Sequence, residues 1–323
     1  MTMKRKKGTP VHGWINLEKP TGLTSTQAMA RVRKILNAQK AGHGGTLDPI
    51  ATGILPIALG EATKVVNYAQ DHLKTYHFTV TWGEQRDTDD VEGQVINTSD
   101  HVPSHDDIEA VIPDFIGEIE QTPPAFSAIK VDGQRAYDLA RAGETPELKS
   151  RQVFVKDLKF VESSPPYPPA SGGEDCNNGA VRGGEQPQSA FTLICGKGTY
   201  VRSLARDMAE KLGTYGHISL LKRTAVGPFT LQNAISLDFL EKADINTVLN
   251  EVLLPVQSML DDIPALQIKP QEAIKLRNGQ ALSFIAKPDF KRLQDAGFEK
   301  GKIQNAIAVI QGHPVAMVEV QGP

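Results

Sequence analysis

The chain has 323 residues, 40% hydrophobic and 23% charged, a globular balance that excludes collagen-like, coiled-coil and wholly disordered chains. Only two cysteines occur, Cys176 and Cys195, which excludes a disulfide scaffold or a Cys-rich zinc site and points to a reducing compartment. The net charge of −3 conceals an asymmetry, because residues 1–64 hold ten Lys/Arg against three Asp/Glu, an excess that on charge alone reads first as an uneven solvated surface and second as a face for a polyanion.

The first ten residues form a basic tail that leads into no apolar segment, so they do not read as a secretory signal. No apolar run reaches the roughly 18 residues of a membrane span, so a cytoplasmic protein is expected. A strand-like run, Gly13–Leu17, meets the turn Lys19-Pro-Thr-Gly22, after which Thr24 or Ser25 can cap a helix carrying Ala28, Val32, Ile35 and Leu36. Five glycines and two prolines make 41–60 read as a structured loop. Tyr76, Phe78, Val80 and Trp82 alternate along a strand, and helical patterns follow near 106–116 and 134–142.

Between the strand-like runs Val153–Val161 and Phe191–Cys195 lies 163–189, where 14 of 27 residues are Ser, Pro or Gly. Such a segment reads as a disordered insertion. A helix starting near Tyr200 follows, with Val201, Leu204, Ala205, Met208 and Leu212 on one face. From 262 to the end the pattern is that of a small separate unit, with a helix at 270–277 and a hairpin of 306–311 and 315–320. The remainder, 11–261, is expected to be the main domain.

Two segments have the residue types for chemistry. Gly42-His-Gly-Gly-Thr-Leu-Asp48-Pro-Ile-Ala-Thr-Gly53 fits neither the dinucleotide nor the Walker A pattern. Pro49 restricts Asp48 to extended backbone, and Asp48 reads equally as a turn residue or a catalytic acid. In Lys197–Arg206, Arg202 and Arg206 share a helix face away from the apolar stripe, either a solvated basic face or an anion site. His101 and His105 sit in a polar loop without HExxH or CxxC, so no metal site is expected. No G-x-S-x-G elbow occurs.

Several segments in order resemble the TruB family of bacterial tRNA pseudouridine-55 synthases. They are Lys19-Pro-Thr-Gly-Leu-Thr-Ser25, Gly42–Pro56, Gly60-Glu-Ala-Thr-Lys64, Lys74-Thr-Tyr76, Asp87–Gly93, Pro123–Lys130 and Gly198-Thr-Tyr-Val-Arg202. The resemblance spans roughly 10–230. It implies a mixed α/β (α+β) pseudouridine synthase fold, with a largely antiparallel central sheet, flanking helices and a small C-terminal domain similar to PUA modules. It implies an isomerase that flips a uridine out of the T-arm loop of tRNA and reattaches the base through C5, which needs neither cofactor nor metal.

By the same resemblance Asp48 is the catalytic aspartate, Tyr76 lies against the flipped uracil, and Arg202 pairs with Asp48. His43 helps open the RNA loop, while Lys19, Lys64 and Tyr200 support the site or contact the substrate. The stretch 124–151, with Lys130, Arg135, Arg141, Lys149 and Arg151, is similar to an RNA-gripping element. The chain is expected to act as a monomer, without guide RNA, protein partner or membrane.

Overall fold

In the computed structural model, the structure describes residues 8–127, 129–131, 133–143, 148–161, 186–284, 287–299 and 301–321. The chain divides into two units, to Leu254 and from Pro255. The first begins with β1 (Gly13–Lys19), α1 (Ser25–Ile35), β2 (Ala41–His43), β3 (Thr52–Leu59), α2 (Val66–Asp71) and β4 (Lys74–Trp82). Next come β5 (Glu84–Arg86), β6 (Val95–Thr98), α3 (His105–Val111), β7 (Gly117–Gln121), β8 (Lys130–Val131), β9 (Gln134–Arg135) and α4 (Ala136–Arg141). The rest is β10 (Arg151–Val161), β11 (Gln188–Cys195), α5 (Val201–Lys211), β12 (Gly216–Val226), β13 (Phe229–Thr230), β14 (Ile235–Ser236), α6 (Leu237–Lys242) and α7 (Ile245–Thr247).

The main sheet has the order β14-β1-β3-β12-β4-β11-β10-β7, with β2 beside β3 and β13 beside β12. All pairs are antiparallel except β1–β14 and β3–β12. Alternation along β4 delivers Tyr76, Phe78, Val80 and Trp82 to one core that also contains α1 and α5 side chains. Phe78 stacks on Phe191 with centroids 5.1 Å apart, and Trp82 meets the same ring edge-on. Such aromatic pairs add about 0.5–1.5 kcal/mol beyond area burial. Helix α1 is capped as its sequence suggests, the Thr24 hydroxyl accepting from Gln27 N while Gln27 reaches back.

Residues 41–60 are not a loop throughout. The stretch Thr52–Leu59 is a strand buried on both faces, and Pro56 falls where β3 exchanges β12 for β2 as its neighbour. A missing N–H is harmless at such a gap. Strand β12, absent from the sequence reading, carries bulges at Ile218/Leu220 and Arg223/Ala225 that break its alternation.

The expected insertion 163–189 falls mainly outside the described residues. Its end is corrected, since Gln188 and Ser189 already pair with Thr81 and Val80, and Ser189 Oγ accepts from Trp82 Nε1. The first compact unit ends at Leu254, which is bonded to Trp14 through both backbone groups, whereas the expected main domain ran to 261. The second unit packs α8 (Pro270–Arg277) and α9 (Lys287–Asp295) on a sheet of β15 (Ala265–Gln267), β16 (Ile303–Ile310) and β17 (His313–Gln321). No helix among the described residues is long and apolar enough to cross a membrane.

Candidate active site

Between β2 and β3 the chain forms the loop that carries Asp48, and three buried side chains fix its backbone. Ser25 Oγ accepts from Leu47 N at 2.7 Å and donates to Leu47 O at 3.0 Å. Lys19, fully buried, donates to the carbonyls of Pro49, Pro20 and Leu23 at 3.3, 2.9 and 2.8 Å. Arg223 donates to the carbonyls of Gly45 and Thr46 at 3.1 and 3.3 Å. Within the loop, Ala51 N donates to Asp48 O and closes the turn. Gly53 has φ +99°, and a Cβ there would lie 2.1 Å from Arg223 O, so only glycine fits.

The Asp48 carboxylate remains 30% exposed while its partner, Arg202, is 4% exposed. Arg202 Nε lies 3.0 Å from Asp48 Oδ2, but the N–H does not align with that oxygen, so the contact is ionic rather than a linear hydrogen bond. The other guanidinium nitrogens donate to Thr88 O at 2.9 Å and Phe126 O at 3.0 Å, and Nη1 lies 3.5 Å from Asp90 Oδ2. Arg206 Nη1 donates to Asp89 Oδ2 and its Nη2 to Thr122 O. Neither arginine belongs to a solvated face. The acidic run 87–93 and the segment 121–127 fold onto α5 and supply acceptors that no periodicity along the helix could reveal.

Burial pushes the Asp89 carboxyl up to about 6, against the pull of Arg206 and Arg202. Burial also lowers Lys19 to about 8, with Asp48 opposing. His43, at the end of β2, is lowered first by burial and then by Arg223, which keeps its ring neutral at pH 7. Tyr76 is raised by burial, against the pull of the Arg223 charge, so its phenol stays protonated. Asp48 bears electrostatically on both Lys19 and Tyr76.

Other expected residues stand apart. Lys64 is exposed at the end of a 3₁₀ turn, where its ion pair is with Glu61 at 2.5 Å. Tyr200 precedes α5, its N–H and C=O both bonded to the Gln121 side chain and its ring 5.0 Å from the Arg151 guanidinium carbon. Lys130 is in the short β8–β9 hairpin, opposite Arg135; the side chains of Lys130, Arg135 and Arg141 lie outside the described residues.

Sequence reasoning missed Ser25, Asp90, Gln121 and Arg223. Asp90 had a signal as part of the acidic run and Ser25 as the end of the Lys19–Ser25 motif, whereas Gln121 and Arg223 had none. A cleft of about 550 Å³ opens beside the loop, lined by Lys19, Pro20, Ile50, Thr52, Leu221 and Lys222. Among the described residues no group of three His, Cys, Asp or Glu side chains is placed to hold a metal ion.

Residues 33–201 match the family model for the N-terminal domain of TruB family pseudouridylate synthase, and 202–261 match the C-terminal domain of tRNA pseudouridylate synthase B. A tRNA pseudouridine synthase B of Rhodospirillum rubrum is 48% identical over 87% of this chain and 85% of its own length. One from Caulobacter vibrioides is 49% identical over 87% and 84%. One from Rhodopseudomonas palustris is 44% identical over 98% and 80%. Among solved structures, a Cbf5-Nop10-Gar1 complex contains a chain 25% identical, with a TM-score of 0.67, covering 99% of this chain and 85% of that one. The two matched domains and these relatives place the chain in the TruB family of pseudouridylate synthases.

Proposed function

We propose that this protein is an isomerase that converts uridine 55 in the T-arm loop of tRNA to pseudouridine, with Asp48 as its catalytic carboxylate. Its family and its tRNA pseudouridine synthase B relatives support the coarser part, uridine-to-pseudouridine isomerisation in tRNA. The reaction breaks the N1–C1′ bond and forms C5–C1′, while C5 loses a proton and N1 gains one. No net redox change or group donor is involved.

The observation that carries the reading is the Asp48–Arg202 pair at 3.0 Å, a partly exposed carboxylate held by a buried guanidinium on a clamped loop. A base inside a folded RNA loop must first be extruded, at a cost of a few kcal/mol. Tyr76 offers the flipped uracil an aromatic contact worth roughly 1–3 kcal/mol. Asp48 then acts on the sugar as nucleophile or base. Arg202 orients it and supplies positive charge beside it. His43, neutral at pH 7, works at the RNA loop, with Lys19 and Tyr200 as supports and Lys64 and Lys130 as contacts to the backbone.

The 124–151 segment grips the RNA electrostatically, and the second unit serves as a PUA-like RNA-binding domain. The chain works in the cytoplasm as a monomer, without a guide RNA. The test is to incubate the purified chain alone with an unmodified tRNA transcript and map pseudouridine. Modification confined to position 55 supports the proposal. Modification elsewhere only, or a requirement for added RNA or protein, refutes it.

A further inference from the structure

We propose that Arg223 is a positioning residue for this reaction, its guanidinium fork holding the Asp48 loop and Tyr76 in one fixed geometry. The inference rests on the reading of Asp48 as the reacting carboxylate. Arg223 is 1% exposed, and among the described residues no carboxylate lies within ion-pair distance of it. A buried guanidinium is costly unless each donor is satisfied. Here the acceptors are backbone carbonyls at both ends of one loop. Nε donates to Ile54 O at 2.7 Å in β3, while Nη2 and Nη1 reach Gly45 O at 3.1 Å and Thr46 O at 3.3 Å, two to three residues before Asp48.

The Arg223 guanidinium bears electrostatically on the Tyr76 phenol, and the residue's backbone pairs with Gly53 on one side and Tyr76 on the other. Arg223 therefore ties β3, β4 and the loop between β2 and β3 together beneath the reacting groups. Its charge also reaches them, lowering His43 and Lys19 and opposing the burial effect on Tyr76. A lysine in its place keeps the charge but lacks the planar fork that spans three carbonyls. Misplacing a reacting group by about 1 Å costs on the order of 100-fold in rate.

The experiment compares Arg223→Lys with the unaltered chain in single-turnover assays at varied tRNA concentration, alongside circular dichroism and tRNA binding. A folded variant should bind tRNA within about threefold of the unaltered chain and reach half-saturation at the same concentration. Its maximal rate should fall tenfold or more. A smaller fall, or a rate loss matched by an equal loss of binding, overturns the inference. Asp48→Asn is assayed in parallel. Turnover by that variant sinks the reading of the site, whereas an inactive Asp48→Asn beside a fully active Arg223→Lys sinks the positioning role alone. If Arg223→Lys does not fold, the unaltered protein labelled with 15N-arginine decides. Separate, slowly exchanging Nη signals with proximity to Tyr76 are expected, and a freely rotating guanidinium overturns the inference.

Discussion

Ser25→Ala removes a single oxygen and isolates one clamp on the Asp48 loop. Ser25 is the first residue of α1, but Thr24 caps the helix through its own hydroxyl and Gln27, so the cap survives the substitution. What disappears is the pair of bonds to Leu47, at 2.7 and 3.0 Å, next to Asp48. The Leu47 N–H then stays buried without a partner, which costs about 1–3 kcal/mol. For a unit of this size, each kcal/mol lowers the melting midpoint by about 2–4 °C, giving roughly 4–8 °C for the middle of that range. Loosening the residue before Asp48 should also slow single turnover by about tenfold or more, with tRNA affinity unchanged. Thermal melts followed by circular dichroism and single-turnover assays on saturating tRNA read both effects. An unchanged midpoint together with an unchanged rate would refute the view that Ser25 holds the loop.

Lys19 makes stability depend on pH in a direction set by its burial. Its amine titrates near 8 in the folded chain and at 10.5 when unperturbed, so between those values the unfolded chain holds one more proton and stability rises with pH. Relative to Lys19→Met, the unaltered chain should gain on the order of 3 kcal/mol between pH 7.5 and 10.5 in urea melts, and a constant difference would contradict the burial of a charged amine. Affinity for tRNA should fall steeply with salt as phosphate contacts release counterions; a flat plot of log K against log salt would exclude an electrostatic grip. Because Val161 pairs with Ala190, the connection between β10 and β11 joins neighbouring strand ends. Replacing 163–186 with a short Gly-Ser turn should preserve folding and turnover, and loss of turnover in a folded variant would assign that segment a role in RNA contact.

Local chemistry made much of the scaffold legible. The Thr24 cap, the alternation of β4, the stripe of α5 and the Asn278-Gly279 end of α8 each depend on residues a few positions apart. Strand β3 was obscured because Gly53 and Pro56 carry turn chemistry, although Gly53 serves a close approach to Arg223 and Pro56 fills a gap in the ladder. Strand β12 was obscured by its two bulges, which took Arg223 out of view.

At the site, the family motifs picked out Asp48 and Arg202, but α5 periodicity placed Arg202 away from the core. Its burial depends on Thr88, Asp90 and Phe126, all more than 70 residues distant in sequence. The clamps by Ser25, Lys19 and Arg223 are equally non-local, since each side chain bonds backbone carbonyls or amides rather than a complementary residue type. Sequence pattern has no mark for such partners.

The most direct test of the account uses tRNA carrying tritium at C5 of its uridines, since forming the C5–C1′ bond releases that label to water. The unaltered chain should release label equivalent to one uridine per tRNA. Asp48→Asn should release none above background while binding tRNA within about tenfold of the unaltered chain, because one neutralised carboxylate adds little to a polyanion interface. Stoichiometric release of tritium by Asp48→Asn would contradict the assignment of Asp48 as the catalytic carboxylate.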